Sequence, residues 1–265
     1  MRVRSLATQR GLNLIELMIA VVIGLFISLM VVQYLSTSSK LFRQQGVDSN
    51  LESNATFAIS YLSQFIRQAG TFNPIGTDVP FFSGFCGGND PNDPDNPCTY
   101  NSDVAGESDQ ISVQMVPWNQ RDCVGNVTDA DERITNVFSV IGSELFCRGY
   151  SVTNRDWLGA GESLISGVDQ LQVLYGVSND DGEVDQYVDA SRVAENANSD
   201  EEELLAWDRI RSVKLAVLVS DGTNAGTEKA EARQYQLLDA PEIEFTDRIS
   251  RKVFTTTITI NNKLQ

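Results

Sequence analysis

Residues 12–35 form an apolar run that holds a single carboxylate, Glu16, and this run fixes where the rest of the chain must lie. From Leu17 to Val32 no residue is charged, and only Gly24 and Ser28 interrupt the apolar side chains. The run reaches the roughly 20 residues needed to cross a bilayer core. A carboxylate inside such a run is costly unless it meets a partner, so it marks function rather than packing. The bland alternative is an uncleaved signal anchor that tolerates a Glu near one end. Against it stands the head Met1–Arg10, which carries Arg2, Arg4 and Arg10, has no acidic residue and is followed by Gly11. Three Arg ahead of the span hold the head in the cytoplasm and send the remainder across.

The helical pattern continues past the apolar run. Leu51, Ala55, Ala58, Leu62, Phe65 and Ala69 recur at spacings of three and four, flanked by Ile59 and Ile66. Gln44, Gln45, Asn50, Ser53, Ser60, Ser63, Gln64 and Gln68 fill much of the opposite face. Gly70 and then Pro74 end the pattern. A helix over residues 12–69 would be about 87 Å long at 1.5 Å per residue, and its amphipathic half must lay its stripe on something. A coiled-coil stalk is the alternative, but unbroken a/d heptads are not sustained.

Phe72 to Asn101 is rich in Gly, Pro and Asn and reads as loop. Period-two runs follow at Ile111–Met115, Val137–Ile141, Leu145–Arg148, Asp169–Tyr175, Ile210–Val219 and Val253–Ile260. Alternation with short turns between runs predicts an antiparallel sheet with one wet face, the natural cover for the helix stripe. The fold class is therefore α+β, in one domain over residues 71–265. Asp180–Glu203 carries ten acidic residues against Arg192 alone and is expected to be a solvated excursion, with short helical turns at Ala190–Ala194 and Glu201–Trp207. Ala240–Arg251 is expected to be partly helical.

All four cysteines, Cys86, Cys98, Cys123 and Cys147, lie beyond the span, and an even count in an exported domain predicts two disulfides. Three pairings are possible. Cys86 with Cys98 would staple a loop with little apolar content, leaving Cys123 with Cys147 across a hairpin. Zinc is the rival, but no CxxC spacing occurs and the chain has no His.

The basic head, Gly11 and Glu16 together resemble the signal of type IV prepilins. That resemblance implies cleavage between Gly11 and Leu12 by a prepilin peptidase, N-methylation of Leu12, and pairing of Glu16 with a neighbouring subunit's amine during assembly. Physical chemistry agrees, since a buried carboxylate needs a cationic partner to stay ionised. Asn13 stands where the family more often has Thr or Ser. Later stretches narrow the family. Phe57–Leu62 with Ile66–Gly70, Tyr175-Gly176-Val177, Ile210–Leu215 and Val253–Thr257 are similar to PilW-type minor pilins.

The PilW resemblance implies a type IV pilin-like fold, with a leader at 1–11, a transmembrane part at 12–35, an amphipathic helical part at 36–70 and the sheet domain at 71–265. It implies a subunit of a tip or priming complex, anchored in the inner membrane by one pass with a periplasmic C-terminal domain. Its partners would be other minor pilins, the major pilin, the prepilin peptidase and the inner-membrane assembly platform. The alternative in the same superfamily is a J-type minor pseudopilin of type II secretion. From another class, a membrane-anchored adhesin or calcium-binding module is the competitor.

Removing the head leaves 17 basic against 36 acidic residues, a net charge of −19. Such a chain is a poor nucleic-acid binder, because phosphate contacts need clustered Lys and Arg. Without His, Ser-His, Cys-His and His-metal catalysis are excluded, and no enzymatic activity is expected. No cofactor is expected, apart from a candidate calcium loop. Asn179–Asp185 places Asp180, Asp181 and Asp185 around Gly182, as calcium loops do. Where PilW-like chains often carry a leading Asp, Ser178 stands here. An acidic hairpin turn is the plainer reading of that stretch.

Overall fold

The computed structural model describes residues 13–71, 79–81, 96–179, 182–197, 199–222 and 230–261. Two compact units, Met1–Gly46 and Val47–Gln265, divide the chain. Among the described residues the elements begin with α1 (Leu14–Gln68), β1 (Ile111–Met115), β2 (Ile134–Ile141), β3 (Glu144–Ser151), β4 (Asp156–Trp157) and β5 (Glu162–Ser166). Next come β6 (Val168–Ser178), β7 (Val184–Val188), α2 (Ala190–Val193) and α3 (Asp200–Asp208). β8 (Ile210–Ser220), β9 (Glu231–Tyr235), β10 (Ile243–Asp247) and β11 (Arg251–Thr259) complete the order. The class is α+β.

In the first unit, α1 is an apolar helix whose large side chains, from Leu14 to Leu35, are all exposed. It is long and apolar enough to cross a membrane, and none of the apolar window is buried. The Ser28 hydroxyl, midway along the run, donates to the Gly24 carbonyl at 2.8 Å and so presents no unpaired donor to an apolar surrounding.

In the second unit the α1 stripe is buried at Val47, Leu51, Ala55, Ala58, Leu62 and Ile66. Ile66, expected to flank the stripe, is fully buried as part of it, whereas Phe65 is only half-buried and turns its ring toward Phe138 of β2, centroids 5.3 Å apart. Gly70 ends the helix at φ 74°, and its N–H donates to the Gln114 carbonyl of β1 at 2.9 Å. Only Gly reaches that backbone region without strain.

Two antiparallel sheets meet the stripe. One runs β1-β2-β3-β4, with β5 also on β3; the other runs β11-β8-β6-β7. Leu171, Val173 and Tyr175 do share one face of β6, and with Val213, Leu215, Val217 and Val219 of β8 they join the core around the helix. The outer face is not uniformly wet. A separate two-stranded sheet of β9 and β10 brings Leu237, Ile243 and Phe245 over Ala216 and Leu218 of β8. β8 is therefore buried on both faces, which explains why Val213–Val219 is nearly continuously apolar rather than alternating.

Two local expectations change. Ala240–Arg251 contains the strand β10 rather than helical turns, because Ile243 and Phe245 pack on the outer face of the sheet. The acidic excursion contains β7, which pairs with β6 through Tyr175↔Val188 to Ser178↔Val184. The short helices α2 and α3 form where expected, capped by the side chains of Asp189 and Ser199.

Candidate assembly site and the supports of the domain

Glu16 is the third residue of α1, and its carboxylate accepts the backbone N–H of Asn13 at 3.2 Å. This is the reciprocal half of a capping box: it satisfies a donor that the helix cannot, and it puts negative charge at the positive end of the helix dipole. Ile15, Leu17 and Met18 around it are exposed apolar side chains. A cation brought there by another molecule would meet a carboxylate in an apolar setting, where screening is weak and an ion pair is strong. Gly11 and Leu12 lie outside the described residues.

Cys123 and Cys147 are disulfide-bonded, with Cα atoms 6.3 Å apart, and tie the loop before β2 to β3. Cys98 is disulfide-bonded as well. Its expected partner, Cys86, lies outside the described residues. The 117–128 loop is braced beyond its disulfide. Asp122 accepts the N–H groups of Val124 and Asn126 at 3.0 and 2.8 Å, and the Asn126 amide at 2.8 Å. Asn136 accepts the Cys123 N–H at 2.8 Å. Tyr61 of α1 donates its hydroxyl to the Cys123 carbonyl, which joins helix and disulfide directly. Burial, and then the Asp122 charge, hold the Tyr61 phenol above its usual range.

The candidate calcium loop connects β6 to β7. Asn179 donates its N–H to the Glu183 carbonyl at 2.9 Å, and Gly182 turns the chain at φ 83°. Asp185 is exposed on β7, while Asp180 and Asp181 lie outside the described residues. Among the described residues no group of three acidic, His or Cys side chains could hold a metal ion.

Two further features had no signal in the sequence. Arg251, with a side chain only 6% exposed, donates from Nε to Asp169 at 2.6 Å and from Nη1 to Asp247 at 2.8 Å, and lies 3.8 Å over the Phe245 ring. It pins β11 to β6 and to β10. The Asp247 carboxyl is held below its usual range, chiefly by that Arg251 hydrogen bond. The second feature is a groove of about 970 Å³ on the outer side of the first sheet, lined by Tyr100, Asp109, Gln110, Phe146, Arg148 and Trp157. Arg148 stacks on Trp157 at 4.1 Å and donates to the Gly159 carbonyl at 3.0 Å.

The stretch from just before β2 to the end of β11, residues 131–262, matches the family model described as type IV pilus-assembly protein W. The chain is a PilW-type pilin. That stretch holds both sheets except β1, and it also holds the Arg251 pin and Cys147. The chain is also similar to a solved structure, a type IV-like pilin from Thermus thermophilus, at 12% identity and a TM-score of 0.44, covering 81% of this chain and 97% of that one. No curated protein matches it. The pilin family is structural rather than enzymatic, and its members work by assembling with other pilus components. A long apolar N-terminal helix fits a membrane-anchored pilin.

Proposed function

We propose that this PilW-type chain is a minor pilin that joins other minor pilins in the inner membrane and primes assembly of the type IV pilus. The observation that carries the reading is the PilW match over the sheet domain, together with an apolar helix that bears Glu16 at its first turn. In this reading residues 1–11 are a cytoplasmic leader, removed between Gly11 and Leu12, and Leu12 is N-methylated. The helix then anchors the subunit at 12–35, while the domain beyond it is periplasmic. Glu16 pairs with a neighbour's amine and sets the stagger between adjacent helices. A mature charge of −19 opposes close packing of many identical copies and favours a few copies among different subunits. In this reading calcium would be held at Asp180, Asp181 and Asp185; titration of the full chain with the ion tests it, and no heat at millimolar calcium removes it.

Gene deletion is the test. Loss of surface pili with the major subunit retained in the membrane, and co-purification of the chain with other pilins at low abundance, support the role. Normal piliation with a type II secretion defect would instead assign the chain to a pseudopilin role, and abundant copies along the shaft would make it a bulk subunit.

A further inference from the structure

β7 covers the edge of β6 only from Tyr175 onward, so the edge of Val168–Leu174 would be open if strands alone covered it. A short hairpin fills the gap. Its stem is the reciprocal pair Tyr100 and Gln110, with N–H to carbonyl distances of 2.9 and 3.0 Å, and its tip runs from Ser102 to Asp109. The tip replaces a strand on three backbone groups of β6. Asp109 donates its N–H to the Leu171 carbonyl at 2.9 Å, the Leu171 N–H reaches the Ser108 hydroxyl at 3.2 Å, and the Val173 N–H reaches the Asp109 carboxylate at 2.7 Å. Gln172 adds a bond from its side chain to the Glu107 carbonyl at 3.1 Å. The other Asp109 oxygen accepts the Ser102 N–H at 3.0 Å and closes the tip on itself. One carboxyl group therefore holds both the shape of the tip and its seat on the sheet.

That group is 2% exposed, and its charged neighbours are unfavourable to ionisation. Asp239, before β10, and Asp189, before α2, act on it from outside the hairpin, while Asp103 and Glu107 lie within the tip. Arg192 is engaged with Asp189 at 3.1 Å. Tyr175 on β6 is fully buried and senses the Asp109 charge.

We propose that the tip Ser102–Asp109 is a proton-operated strap, seated on the bare edge of β6 while Asp109 is neutral and lifting from it as that carboxyl ionises. A neutral carboxyl still offers an acceptor to each N–H; what ionisation adds is a full charge in a dry pocket beside other carboxylates. Burial, opposed by the Ser102 and Val173 N–H bonds, raises the group from 3.8 to about 7. The seated state thus binds the proton more tightly than the lifted state, so seating is favoured at low pH and weakens as pH rises through about 7. Glu107, Asp109 and Gln110 also form one wall of the groove over Phe146 and Trp157, so lifting the strap widens that groove.

Hydrogen exchange of the full chain in detergent, corrected for intrinsic rates, tests this at pH 5.5, 7 and 8.5. Peptides covering 102–110 and 171–174 should exchange at least about tenfold faster at the highest pH than at the lowest, with β2 and β3 unchanged. Asp109→Asn should abolish the pH dependence. Asp239→Asn, which removes a like charge without touching the strap's hydrogen bonds, should move the midpoint to lower pH. A corrected rate independent of pH overturns the proposal, as does an unaltered pH profile in Asp109→Asn or an unmoved midpoint in Asp239→Asn.

Discussion

Glu16 already has a partner within its own chain, the Asn13 N–H. In that bond only the acceptor carries a charge, whereas an ammonium in an apolar setting adds the opposite full charge, and the resulting ion pair is the stronger interaction. A neighbour's amine can therefore displace the cap, and the cap keeps the carboxylate from being an isolated charge beforehand. Glu16→Gln keeps an acceptor for Asn13 but removes the charge. It should leave membrane insertion and disulfide formation as in wild type and reduce recovery of the chain in sheared pili, as should Glu16→Ala. Equal recovery of all three forms would remove the amine-pairing role. Glu16 was legible in the sequence because a charge in a long apolar run violates a strong rule. Asp109 was not, because an Asp in a polar loop breaks no rule, and the β6 backbone groups it serves lie more than 60 residues away.

Among the elements, the helix and six of the strands are legible because apolar periodicity survives wherever one face is buried. β7 and β10 escape for different reasons. β7 is an edge strand exposed on nearly every residue, with no apolar face to announce it. β10 alternates, but its apolar positions pack on a second sheet face that a single-core reading leaves wet. Arg251 adds a side-chain tie between β11, β6 and β10 to the strand pairing and packing already there. Arg251→Met would leave Asp169 almost buried with, among the described residues, only the Ser220 hydroxyl to stabilise it, at 2.8 Å. Breaking a buried pair from one side costs about 3–5 kcal/mol. Chemical denaturation of the detergent-solubilised chain should show a loss of that order, partly recovered by adding Asp169→Asn. A loss below about 1 kcal/mol would mean that the pair behaves as an exposed one.

For the whole molecule, the proposed cleavage after Gly11 would delete three of the chain's 20 basic residues and free an amine at Leu12, next to the helix that Glu16 caps. Mass spectrometry of the mature protein should therefore find N-methylated Leu12, and an intact Met1 terminus in a peptidase-competent cell would refute the cleavage. The burial of Ile258 and Ile260 in the same core as Leu51, Leu62 and Ile66 has a consequence in time. The stripe is among the first parts of the domain to be synthesised, and its cover is among the last. At roughly 5–20 residues per second, the gap between Ile66 and Ile260 leaves the stripe bare for roughly 10–40 s. Throughout that interval the nascent chain presents a greasy helix to everything around it, and a chaperone or the membrane surface must shelter it until the final strand arrives.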